Sequence, residues 1–122
     1  MPRELKFIAT PEKGEVSAIL DQPANARALL VLGHGAGSNM RHSLIADLSD
    51  ALVRQGMATF RYQYPYSEKG GGGLDGRKVL LATIRSAIEK AKEEAHDLPL
   101  FAGGHSMSGR MTTLAEADES LP

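Results

Sequence analysis

The sequence has no cysteine. That excludes disulfides, thiolate nucleophiles and cysteine-based metal sites outright. Neither charge is in excess: fourteen Lys and Arg face fifteen Asp and Glu, for a formal charge of −1. No basic field is available to hold nucleic acid and no acidic tail is present, so nucleic acid is excluded as a partner. The two signs are interspersed, as on a solvated surface. Long apolar runs are also missing. The longest, Ala28 to Leu32, is far short of a membrane span. Met1 to Lys6 lacks the apolar region of a signal peptide. A cytoplasmic protein without membrane contact is the expectation.

What is present is an ordinary globular balance. Hydrophobic residues make up 42% and charged residues 24%, which argues against disorder. A chain of 122 residues suits one small domain with a real core. Leu5–Ala9 and Val16–Leu20 read as short strands, with Pro11 to Gly14 at hairpin length between them. Ala28–Leu32 is continuously apolar, as in a strand buried on both faces. Leu44, Ile45, Leu48, Leu52 and Val53 recur at helical spacing, and Gly56 stands where that helix would stop. Met57–Tyr62 is the next strand; Tyr64-Pro65-Tyr66 then leads into a mobile glycine loop, Lys69 to Gly73.

Asp75 is placed to cap a long helix beginning near Gly76, with Val79, Leu80, Ile84, Ala87, Ile88 and Ala91 on its apolar face. Pro99 ends that pattern, Leu100–Ala102 is a short strand, and a last helix runs from near Met107 to about Ala117. Two strands followed by strand-helix-strand-helix-strand-helix predict an α/β fold. Its sheet is mostly parallel, with helices on both faces. Sites in such sheets lie at the carboxyl ends of strands. Two Gly-rich turns stand at such ends, Gly33 to Ser38 and Gly103 to Gly109.

The second turn carries a serine between a short strand and a helix. A serine hydroxyl is a weak nucleophile and needs help. A tight strand-to-helix turn projects its Oγ above the sheet and aims free helix N–H groups at a developing oxyanion. Residues two places either side must be small. Gly104 meets that condition, and Ser108 stands where glycine is usual.

Taken together, Leu100 to Met111 resembles the nucleophile turn of the α/β-hydrolase superfamily, and Leu32 to Gly37 resembles its oxyanion-hole segment. Phe60 to Tyr66 is similar to a small bacterial branch of predicted, dienelactone-hydrolase-like proteins. The resemblance implies a serine hydrolase performing esterase-like acyl transfer on a small ester, lactone or thioester. Ser106 would be the nucleophile, and the Met107 N–H one oxyanion donor. Ala36 N–H would be the second, with Gly35 as its alternative. His34 would either act as base or orient the oxyanion turn. His105 would pack or hydrogen-bond at the nucleophile turn.

The same resemblance implies a triad in the order Ser, acid, His. Sixteen residues follow Ser106 and none is histidine; Asp118 falls in or just past the last helix. Residues 1–122 therefore read as the N-terminal part of a single α/β-hydrolase domain, truncated after the nucleophile helix. Acid and base would come from elsewhere, and turnover by these residues alone is not expected. The strand Leu100–Ala102 would be left with an open edge, through which copies of the chain would associate. The competing reading is a non-catalytic, hydrolase-like binding module.

Other motifs point nowhere else. The four histidines lack metal-ligand spacing, so no metal is expected; His42 and His96 read as exposed helix-terminus residues. Gly33 to Ser38 matches a dinucleotide loop imperfectly, and no acidic residue ends the strand Met57–Tyr62 to hold a ribose, although Arg61 would suit a 2′-phosphate. No phosphate-binding G-x-x-x-x-G-K-[ST] is present. No cofactor is expected. Arg61 and Arg110 read as structural anchors rather than anion ligands.

Overall fold

The computed structural model describes residues 2–71 and 73–118. Its elements are β1 (Pro2–Thr10), β2 (Gly14–Asp21), β3 (Ala28–Gly33), α1 (Ser43–Arg54), β4 (Met57–Tyr62), α2 (Pro65–Glu68), α3 (Arg77–Glu94), β5 (Leu100–Gly104) and α4 (Met107–Asp118). One five-stranded sheet has the order β1-β2-β4-β3-β5. The β1–β2 and β2–β4 ladders are antiparallel, while β3 runs parallel to both β4 and β5. The sheet is mixed, with a parallel core at β4-β3-β5.

Alternation along β4 assigns the two faces. Ala58, Phe60 and Tyr62 join the main core with Leu80, Ile84, Ala87, Ile88 and Ala91 of α3. Thr59 points the other way, its hydroxyl 2.7 Å from that of Ser49 on α1. Helices thus cover both faces. The apolar stripe of α3 is buried as its spacing predicts. That of α1 is only partly so: Ile45 is buried, whereas Leu44 and Leu48 are largely exposed.

Both hairpin strands are longer than their apolar segments. Cross-strand pairing draws Pro2 to Lys6 into the ladder with Ser17 to Asp21, although most of these β1 side chains face water. The single turn α2 was not legible as a helix. Pro65 begins it, and the Ser67 hydroxyl accepts from the Tyr64 N–H at 2.9 Å. Asp75 does not cap α3; its Oδ2 accepts from the Tyr66 N–H at 2.9 Å, and Gly76 is the N-cap with no side-chain bond. The carboxylate serves the turn that needs tying down rather than the helix beside it. Of the glycine run, Gly72 lies outside the described residues.

The two outer strands differ. β1 carries Pro2, Arg3, Glu4 and Lys6, residues that discourage pairing with another strand. β5 reads Leu-Phe-Ala-Gly-Gly, with no charge, and Phe101 is 57% exposed. Among the described residues β5 pairs only with β3. Among them, too, no helix is long and apolar enough to cross a membrane.

Candidate active site

The parallel register sets Gly33 of β3 beside Gly104 of β5, so both Gly-rich turns leave the sheet side by side. The contact continues one step further, with the His105 N–H donating to the Gly33 carbonyl at 3.1 Å. Ser106 follows with φ of +52°, a left-handed conformation that a non-glycine residue adopts at a cost of roughly 1–3 kcal/mol. The chain then enters α4, and the Arg110 N–H closes onto the Ser106 carbonyl at 3.1 Å. Ser106 is exposed, and among the described residues its hydroxyl has no hydrogen-bond partner.

The turn is possible because two positions lack a side chain. A methyl group at Gly104 would lie 2.5 Å from the Ser108 Cβ and 2.9 Å from the Gly33 carbonyl oxygen. One at Gly33 would lie 2.5 Å from the Ser108 Oγ and 2.7 Å from the Tyr62 hydroxyl. Ser108 itself is fully buried. Serine at this position takes an ordinary helical backbone: Ser108 sits in α4 with its hydroxyl engaged, and the positive φ belongs to Ser106.

The first turn is organised by His34, which is also fully buried. Its Nδ1 lies 2.8 Å from the Gly35 carbonyl oxygen, which can only accept, so Nδ1 carries the proton. Nε2 is then the acceptor, 3.0 Å from the Ser67 hydroxyl, whose single proton is shared between Nε2 and the Tyr64 carbonyl, also at 3.0 Å. Burial pushes the imidazole below its ordinary pKa of 6.5, opposed in part by the bond to Gly35, which keeps the ring neutral. With both nitrogens engaged inside the turn, His34 makes no hydrogen bond to Ser106.

The Gly35 carbonyl also accepts from the Ser38 N–H at 3.1 Å. A trans peptide points its N–H opposite its carbonyl. With the Gly35 carbonyl turned in toward His34, the Ala36 N–H is directed outward. Ala36 and Ser106 line the same cavity of about 260 Å³, together with His42, Leu44, Ile45 and His105. Among the described residues neither the Ala36 nor the Met107 N–H has a hydrogen-bond partner.

The remaining sequence candidates separate. His105 packs at the turn with its ring over Gly35, where an added methyl would lie 2.9 Å from Nδ1. His42 is the exposed N-cap of α1, accepting from the Leu44 N–H at 3.3 Å, and its place on the cavity wall was not anticipated. His96 is exposed beside Asp97. Arg61 is an anchor, donating from Nη1 to the Met40 carbonyl at 3.0 Å. Arg110 is not: it is exposed and makes no side-chain hydrogen bond among the described residues. Among those residues no group of three or more His, Asp or Glu is arranged to hold a metal.

Missed altogether were the residues beneath the site. Tyr62, Tyr64 and Tyr66 are all buried, with Tyr64 edge-on to the His34 ring at 5.1 Å between centroids. For Tyr62 and Tyr64 the available signal was alternate spacing, the period of a strand carried past the end of β4; Tyr66 already lies in α2.

Residues 26–121 match the family model described as "Alpha/beta hydrolase domain". Among solved structures, dienelactone hydrolase from Anabaena variabilis superposes with a TM-score of 0.79 at 18% identity, over 97% of this chain and 58% of that one. An alpha-beta serine hydrolase homologue from Coxiella burnetii gives 0.78 at 16%, over 96% and 58%. Est1E from Butyrivibrio proteoclasticus gives 0.75 at 22%, over 95% and 46%. These identities show a shared fold, and the chain spans about half the length of the structures it matches. No curated protein matches the sequence.

Two outcomes are expected. Because the folded-state pKa of His34 is depressed, its contribution to stability is complete above pH 6.5 and is lost as pH falls below that value. Urea unfolding should show that decline, and His34→Gln should flatten it; an equally steep decline in the variant would remove His34 as the cause. Separately, Ser106→Gly should raise unfolding free energy by roughly 1 kcal/mol by relieving the positive φ, whereas Ser106→Ala should not. Equal stabilities would show that the turn stores no strain.

Proposed function

The chain belongs to the alpha/beta hydrolase domain family, and on that premise we propose that it carries the nucleophile and oxyanion hole of a serine hydrolase with esterase-like acyl-transfer chemistry. The observation that carries this reading is that Ser106, at φ +52°, lines one cavity with Ala36, whose N–H is unpartnered among the described residues, while the equally unpartnered Met107 N–H directly follows Ser106 in the chain. Ser106 Oγ attacks the carbonyl carbon of a small ester, lactone or thioester and forms a tetrahedral intermediate. Its hydroxyl proton passes to a base, and then to the leaving group as the acyl carbon–leaving group bond breaks. The Met107 and Ala36 N–H groups receive the oxyanion. One such donor is worth about 2.7–4 kcal/mol of transition-state stabilisation. The pinned Gly35 carbonyl favours Ala36 over Gly35 as the second donor.

No described side chain hydrogen-bonds Ser106, and His34 is committed elsewhere. The reading therefore assigns the general base, and the acid that orients it, to groups outside the described residues. This same lack favours the second reading, a hydrolase-like module that binds without turnover.

A fluorophosphonate probe followed by intact-mass measurement separates the two. With the base outside the described residues, acyl transfer predicts a slow adduct on the wild-type chain, driven by the oxyanion donors alone, that Ser106→Ala abolishes. A folded sample that forms none would leave the binding module as the reading.

For partners, we propose that β5, whose outer edge carries no strand among the described residues, pairs with a second copy of the chain. An uncharged strand with unpaired N–H and C=O groups accepts another strand, and two copies of β5 related by a two-fold axis complement each other. Sedimentation velocity should then show mass above the 13.0 kDa monomer that rises with concentration. Phe101→Lys should lower it. A monomer at every concentration would overturn the pairing.

A further inference from the structure

A line of three buried hydroxyls runs from the core to the underside of the oxyanion turn. The Tyr62 and Tyr64 hydroxyls are 3.3 Å apart, and the Tyr64 hydroxyl is 2.7 Å from the Ser108 Oγ. Ser108 donates in turn to the His34 carbonyl. That last oxygen can only accept, which fixes the direction of every bond. The Ser108 proton goes to His34, so Ser108 accepts from Tyr64, and Tyr64 accepts from Tyr62. Burial raises both phenols above their ordinary value, so both keep the protons they donate.

We propose that Ser108 is a positioning residue for the oxyanion turn, clamping the His34 carbonyl from the first turn of the nucleophile helix under a hydrogen bond delivered by Tyr64. The inference rests on the acyl-transfer reading for its catalytic meaning. Two successive peptide groups lead into the turn, and each has its carbonyl held from within. Gly35 is held by the His34 ring and the Ser38 N–H, and His34 is held by Ser108. Without the second hold, the peptide before Gly35 is free to rotate and carries the Ala36 N–H off its line. A glycine, the residue usual at position 108, offers no such bond. The serine is accommodated because Gly33 and Gly104 leave room for it. It therefore replaces a small residue with a cross-link between the two halves of the site.

The test uses Ser108→Ala and Tyr64→Phe, singly and together, on the whole chain. Two-dimensional amide NMR reads the turn without any need for activity. Both variants should shift the Gly35 and Ala36 amides and speed their hydrogen exchange, while amides of β1 and β2 stay in place. The rate of fluorophosphonate labelling at Ser106 reads the catalytic meaning. It should fall about tenfold in Ser108→Ala and less in Tyr64→Phe, and the double variant should match Ser108→Ala because the two act in series. Unmoved Gly35 and Ala36 amides in two folded variants would overturn the clamp. Additive losses in labelling would overturn the relay from Tyr64. A wild-type chain that never labels would remove the acyl-transfer reading and leave the amide measurement to judge the clamp alone.

Discussion

Gly33 and Gly104 lie side by side at the carboxyl end of the sheet with Ser108 packed against both, and the geometry above them follows from that close approach. The gap is narrower than a Cβ would need on either strand. Because the strands approach this closely, the ladder extends past β5 to the His105 N–H, and the residue after it is forced into the left-handed region. The strained backbone of Ser106 is thus imposed by neighbours on both sides and needs no special property of the serine. Packing that over-determines a local conformation is the condition under which strain of about 1–3 kcal/mol persists in a native state.

The same approach explains the buried polar groups nearby. Closing β3 onto β5 removes the His34 carbonyl and imidazole from water, and each buried polar atom there must find a partner or cost about 1–3 kcal/mol. The tyrosines that follow β4 supply those partners. Tyr64 reaches Ser108, and Tyr66 donates toward the Gly35 carbonyl and accepts from the Gly37 N–H at 3.0 Å. All three tyrosines of the chain stand at alternate positions from 62 to 66. Strand alternation puts Tyr62 and Tyr64 on one side, and the turn into α2 brings Tyr66 beside His34, so one short segment serves the underside of both turns.

Much of this was legible in the sequence because some signals depend on local pattern alone. The continuous apolar run of β3 marks a strand buried on both faces, and the stripe of α3 marks a helix packed on a sheet. The two Gly-rich turns could be set at strand ends by order of elements. What was not legible depends on partners distant in sequence. The polar half of β1 is a strand only because β2 pairs with it, and Leu44 and Leu48 stay exposed although their spacing matches a core stripe. Asp75 has the chemistry of an N-cap but answers the Tyr66 N–H instead. Tyr64 and Ser67 became visible as site residues only once the fold had brought them under His34, 30 and 33 positions away in the chain.

The two halves of the site are not held equally. β3, which leads into the Gly33–Ser38 turn, is paired on both sides, and its turn rests on His34, Ser67 and Tyr66. β5, which leads into Ser106, has one ladder among the described residues and is otherwise held by α4 packing behind it. An outer strand with one ladder opens at lower free energy than an inner one, so the half that carries Ser106 is the less constrained. Three backbone bonds, from Leu29 N–H to Pro99, from His105 N–H to Gly33 and from Ser108 N–H to His105, fix its path but do not reach the other turn beyond Gly33. The bond from Ser108 to the His34 carbonyl does. It ties the weaker half to the stronger directly beneath the two turns, and this is where a hydroxymethyl group in place of glycine's hydrogen has the most effect for its size.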